Sequence, residues 1–153
     1  MKINTYKMMQ EDGLPYLVRE TTYSYPVKDT LEKPAYVAEM MQDVFSIHKM
    51  AEEYAYALCM NTKSKPLDLF EISHGSVDAA HMGAREILQR ALMVGATGVV
   101  LIHNHPSGDV FPSAADRNIT NQLKECFKLM DIPLLDHIIV GDGYFSFREN
   151  HLL

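Results

Sequence analysis

Residues 103–116 read "HNHPSGDVFPSAAD" and follow an unbroken apolar run, "GVVLI". In an extended strand residues i and i+2 point to the same side, so His103 and His105 face one way and Asn104 the other. Two imidazoles side by side can converge on one cation, with metal–nitrogen bonds of about 2.0–2.1 Å for zinc. Asp116 offers a third ligand from the first turn of a helix capped by Ser113, where a carboxylate is favoured by the helix dipole. Pro106, Ser107 and Gly108 would turn the chain so that the helix start meets the strand end. A set of His, His and carboxylate with one position left open is the pattern of a catalytic zinc site rather than a structural one. Each half has a plainer reading: a His-x-His pair occurs without metal, and Ser-Ala-Ala-Asp is by itself a helix capping box. Ordered as strand, turn and helix N-terminus, the two halves together point to a metal centre.

The surrounding pattern supplies elements to position that set. Val37, Met40, Met41, Val44 and Phe45 recur at helical spacing, so a first amphipathic helix is expected from about residue 34. "EYAYALCM" and "LDLFEIS" read as a hairpin of strands around the turn "NTKSKP". Ile87, Leu88, Ala91 and Leu92 define one face of a second helix over 85–94, stopped by Gly95. "GVVLI" has the continuous apolarity of a strand covered on both sides. Ile119, Leu123, Cys126, Phe127 and Met130 line a third helix, and "HIIVG", the turn "DG" and "YFSFRE" read as a closing hairpin. Helices alternating with strands predict an α/β fold in one domain, residues 29–153, preceded by an extension over 1–28 in which "PYLVRETTYSYP" reads as a strand.

Composition limits the function classes. The 153 residues carry a formal net charge of -6, with 14 Lys and Arg against 20 Asp and Glu. That balance gives no basic face for sequence-independent nucleic-acid binding. No apolar run approaches the roughly 20 residues that cross a bilayer, and "MKINTYKMMQEDG" lacks the apolar core of a secretory signal. Cys59 and Cys126 have no CxxC spacing, so no disulfide framework is expected. These features together predict a cytoplasmic protein.

The spacing His-x-His, seven residues, Ser, two residues, Asp is the JAMM signature, filled by His103, His105, Ser113 and Asp116. The chain is identified as a member of the JAB/MPN family, and "HNHPSGD" with "LLDHIIVGDGYFSF" resembles its RadC branch. The resemblance runs from about residue 34 to the end. It implies a cytidine-deaminase-like three-layer sandwich with a mixed sheet flanked by helices, a bound Zn2+, and hydrolysis of a peptide or isopeptide bond. Two features depart from the branch: the helix-hairpin-helix region typical of RadC proteins has no counterpart in the opening thirty residues, and Gly83-Ala84 stand where His-Pro is usual. A different function remains in view, a DNA-repair-associated or mobile-element accessory module whose metal is structural. A protein or peptide substrate and self-association are the partners to expect.

The family also implies a Glu at the start of the strand after the first helix, acting as the base that takes a proton from water and delivers it to the leaving amine. Strand parity puts Glu53 on the face of Ala55, Ala57 and Cys59, and Glu52 on the face of Tyr54, Tyr56 and Leu58. Counted back from the strand's end at Asn61, the RadC-like pattern implies Glu53 as the base, with Glu71 on the neighbouring strand as its competitor. Zinc held by His103, His105 and Asp116 lowers the pKa of water toward about 7, and Ser113 is implied as the hydrogen-bond donor to the oxyanion. Cys59 and Cys126 read as core thiols. His137 reads as hydrogen-bonded to Asp136, and His48, His74, His81 and His151 as surface residues.

Overall fold

The computed structural model describes residues 1–26, 30–75 and 82–153. Seven strands are ordered β2-β1-β4-β3-β5-β6-β7. Their ranges are β1 Lys2–Glu11, β2 Leu14–Ser24, β3 Glu53–Met60, β4 Pro66–Gly75, β5 Gly98–Asn104, β6 Leu134–Val140 and β7 Tyr144–Ser146. Three α-helices accompany them among the described residues: α1 Pro34–Phe45, α2 Ala84–Met93 and α3 Ala114–Leu129. The sheet is mixed, with β3 antiparallel to β5 and β5 parallel to β6.

Strand β5 is buried along its whole length, as its unbroken apolarity requires when both faces are covered. On one face Leu58, Val100, Ile102, Ile138 and Val140 pack with Val37, Met40 and Met41 of α1. On the other, Ala55, Ala57, Val99 and Leu101 pack with Ile87 and Ala91 of α2 and with Ile119, Leu123 and Phe127 of α3. The result is the expected three-layer α/β sandwich. Alanines at 55 and 57 leave room for α2 and α3 to approach the sheet where β3 and β5 lie side by side.

The opening segment differs from a lone strand. Residues 2–24 form an antiparallel hairpin, β1 with β2, and β1 runs parallel to β4 at Thr5↔Leu69. The extension therefore widens the same sheet. Its Thr- and Tyr-rich composition favoured an extended chain, and the strand pairing of β1 was hidden because "KINTYKMMQE" lacks a clear alternation.

The helix stripes are narrower than their apolar letters predict. Leu92 is 53% exposed and Met130 is 45% exposed, and Cys126 is exposed rather than core. All three lie at the edge of a stripe, near a helix end, where the sheet no longer covers the helix. Cys59 is a core thiol, buried on the α2–α3 side, and its burial pushes the thiol pKa up to about 12. It pairs with Val99, whereas Ala55 pairs with His103, so four residues, about 13 Å of strand, separate Cys59 from the histidines. Since the thiolate is the reactive form, iodoacetamide at neutral pH should label one thiol per native chain, Cys126, and two in denaturant. Labelling of Cys59 in the native protein, read by peptide mass mapping, would contradict this packing.

Candidate metal centre

His103 sits near the end of β5 and is fully buried, and Asp116 is 5% exposed. Strand alternation turns His103 to the α3 side. The chain then reverses, with Gly108 N–H donating to the His105 carbonyl at 3.0 Å and Gly108 at φ +83. Only glycine adopts that conformation without strain. The β6–β7 turn is stapled beneath: Asp142 N–H donates to the Gly108 carbonyl, and a Cβ on Gly141 would come within 2.4 Å of that carbonyl oxygen. This close approach holds the loop while α3 begins at its far end.

Ser113 starts α3 as a complete capping box. Its Oγ accepts from Asp116 N–H at 3.1 Å and donates to Asp116 Oδ2 at 2.6 Å, while Ser113 N–H donates to the same oxygen at 2.7 Å. Oδ2 is thus held, and Oδ1, which takes no bond from Ser113, faces the His103 ring. His103 Nε2 lies 3.3 Å from Oδ1, His105 Nε2 lies 3.5 Å from Oδ2, and the two ring nitrogens are 3.1 Å apart. Around a tetrahedral ion with bonds of about 2.05 Å, neighbouring ligand atoms stand about 3.3 Å apart. The three side chains form a group that could hold a metal ion. They are the three that the spacing picked out.

The hydrogen bonds behind the rings decide which nitrogens are available. Thr120 Oγ1–H donates to the Asp116 backbone carbonyl at 2.5 Å, so its oxygen accepts from His137 Nδ1–H at 2.6 Å. His137 Nε2 is then an acceptor and takes His103 Nδ1–H at 2.8 Å. The His103 Nε2 lone pair is left facing Asp116 and His105. His105 reaches the same state by donating Nδ1–H to the Asp109 carbonyl at 2.6 Å. Second partners of this kind fix the tautomer of a ligating imidazole.

The electrostatics follow from burial and these bonds. Burial alone would push Asp116 up, but its neighbours His103, His105 and Ser113 hold it well below the usual carboxylate range, Ser113 through the two hydrogen bonds it donates. His105 is pushed up, chiefly by the Asp116 carboxylate beside it, with the Asp109 carbonyl and the Glu53 charge adding to it against burial. His137, fully buried, is pushed well down by burial, as its acceptor role requires. A buried carboxylate facing two rings is a place for a compact positive charge.

Glu53 opens β3 two residues before Ala55, which stands opposite His103. It is half-buried, lies on the α2–α3 side by alternation, and is close enough to act on the His105 charge. Glu71 is exposed, bonded to His74 Nδ1 at 2.8 Å, and lines a cavity with Tyr23, Phe45 and Tyr56. Tyr56 belongs to the α1-side core, so Glu71 lies across the sheet from the metal group. Glu52 is exposed.

Sequence reasoning missed three supporting residues: Thr120, His137 as the partner of His103, and Asn104. His137 lies inside β6, which starts three residues earlier, at Leu134. Only its backbone N–H contacts Asp136, at 2.8 Å; its ring goes to His103. Thr120 stands one turn after Asp116, a spacing that could have signalled it. Among the other histidines, His74 and His151 are exposed and His48 is half-buried, with His48 Nδ1 buried and without a partner among the described residues. His81 lies outside the described residues. Gly83 caps α2 without a side-chain bond. No helix among the described residues is long and apolar enough to cross a membrane.

A model of the RadC-like JAB domain matches residues 31–152, and the chain belongs to that family. A UPF0758 protein of Chlorobium phaeovibrioides is 35% identical over 152 residues, 99% of this chain and 67% of its own length. A UPF0758 protein of Clostridioides difficile is 35% identical over 129 residues, covering 84% and 54% of the two chains. One from Clostridium acetobutylicum is 41% identical over 115 residues, or 74% and 49%. The chain thus spans about half to two thirds of the length of the relatives it matches.

Replacing His137 by Phe keeps the bulk and removes the acceptor for His103 Nδ1–H. Zinc affinity of that variant, measured by chelator competition, should fall about 10–100-fold. Unchanged affinity would show that His103 needs no orienting partner.

Proposed function

We propose that this chain is a zinc-dependent hydrolase of JAMM type acting on a peptide or isopeptide bond. The observation that carries the reading is the convergence of two Nε2 lone pairs, 3.1 Å apart, on the Asp116 carboxylate, with its free Oδ1 at 3.3 Å from His103 and its Oδ2 at 3.5 Å from His105, and with Glu53 on the same side of the sheet. His103, His105 and Asp116 would hold the ion, and His105, the least buried of the three, marks the side from which substrate arrives. A zinc ion held there supplies the polarisation of a carbonyl and the acidification of water.

The protein's own groups divide the remaining work. Glu53 takes the proton from the attacking water on its carboxylate and returns it to the leaving amine. Ser113 holds Asp116 in register through the capping box. Its oxyanion role requires the hydroxyl to turn from Asp116 Oδ2 toward the substrate, and the N-cap bond from Asp116 N–H leaves that rotation free because there Oγ is the acceptor. His137 and Thr120 keep His103 neutral and correctly turned.

The test is a comparison of metal content and of cleavage of a proteome-derived peptide library by wild type and two variants. Wild type should carry one zinc per chain; Asp116→Ala should carry none and cleave nothing. Glu53→Gln should keep its zinc and lose about 10²–10⁴-fold in rate. A Glu53→Gln protein that cleaves as fast as wild type would remove Glu53 from the mechanism. Metal-loaded wild type that cleaves no peptide would leave a structural metal as the better reading.

A further inference from the structure

Glu53 needs a fixed place, yet it lies at the point where the sheet stops supporting it. The β3–β5 ladder runs from Met60↔Gly98 to Ala55↔His103 and goes no further. Past His103 the β5 backbone keeps only its β6 neighbour, with Asn104 opposite Val140 and His105 N–H donating to the Val140 carbonyl at 3.0 Å. The first residues of β3 keep their β4 neighbours, Glu53↔Gly75 and Tyr54↔His74, but have lost the backbone on the β5 side. An unsupported strand end of this kind frays.

The side chain of Asn104 fills that gap. It is fully buried. Its Oδ1 accepts from Tyr54 N–H at 2.7 Å, and its Nδ2 donates to the Glu52 carbonyl at 3.0 Å. These groups flank Glu53 on both sides, and the amide supplies the acceptor and donor that a neighbouring strand's backbone would otherwise supply. We infer that Asn104, the residue between the two histidines, is a positioning residue that clamps the Glu53 peptide over the metal group. The clamp links the ligands and the base through one tripeptide: His103 and His105 turn to the ion while the residue between them fixes the general base. A buried serine or alanine at 104 could not span both groups, and aspartate would set an oxygen against the Glu52 carbonyl.

The inference rests on the proposed role of Glu53, so its test separates the two. In metal-free protein, amide exchange at Tyr54 should be about tenfold or more faster in Asn104→Ala than in wild type, since a buried hydrogen bond is lost. Exchange at Ala57–Met60, held by the intact ladder, should not change. In zinc-loaded protein, hydrolysis of p-nitrophenyl acetate should lose about tenfold to a hundredfold in kcat through misplacement of the base, with zinc content and KM unchanged. Adding Asn104→Ala to Glu53→Gln should cost nothing more. Unchanged Tyr54 exchange, or losses that multiply in the double variant, would overturn the clamp. If Glu53→Gln alone is without effect, the catalytic reading of Glu53 falls and the exchange result still decides the clamp. Should Asn104→Ala fail to fold, the isosteric Asn104→Leu decides by the same exchange measurement, because it keeps the bulk and loses both bonds. It should speed Tyr54 exchange as the alanine does, and wild-type exchange at Tyr54 in Asn104→Leu would overturn the inference.

Discussion

A carboxylate buried as deeply as Asp116 has to be compensated, because an isolated charge in that environment costs several kcal/mol. The fold compensates it from two directions. Ser113 N–H and Oγ–H and the start of α3 take one oxygen, and the His103 and His105 lone pairs face the carboxylate from the strand side, where a cation shared with them would complete the compensation. Most of the architecture around the site serves that convergence. Strand β5 must be central and buried to carry His103 inward, the 106–112 loop must reverse tightly to bring α3 back, and β6 must lie beside β5 so that His137 reaches His103.

The same arrangement explains why the site is layered rather than a simple triad. Neutral imidazole is amphoteric, and a ring that turned its N–H toward the centre would offer no lone pair to a cation. The chain from the Asp116 carbonyl through Thr120 and His137 to His103 removes that freedom, and Asp109 does the same for His105. The path begins and ends on Asp116 and its neighbours, so α3 orients both the anionic ligand and, at two removes, the first histidine. Asn104 adds the corresponding constraint on the β3 side.

Much of this was legible in the chain. The His-x-His pair after "GVVLI" and the Ser-Ala-Ala-Asp cap state their local geometry almost completely, because strand parity and helix capping act over a few residues. The three layers were legible for the same reason: α1, α2 and α3 carry apolar stripes, and β5 is apolar throughout. What stayed hidden depends on contacts between distant segments. His137 lies 34 residues from His103, and nothing local to "LLDHIIV" says that its ring turns to the β5 histidine instead of to Asp136. Asn104 meets a strand 50 residues earlier, and its letter alone reads as a polar residue at a strand end. The β1–β2 hairpin was half visible, since β1 is made of residues with mixed preference and gains its place by pairing with β4. Cys126, Leu92 and Met130 were misjudged because an apolar letter at the margin of a stripe does not say how far the sheet reaches beneath it.

The central claim is that the end of a buried strand and the first turn of α3 grip one cation. An anomalous-scattering map at the zinc edge, from crystals grown with zinc, tests it without any assumption about substrate. The account predicts a single strong peak within about 2.0–2.2 Å of His103 Nε2, His105 Nε2 and an Asp116 carboxylate oxygen. A map with no peak there, or with the metal bound to other side chains, would contradict it.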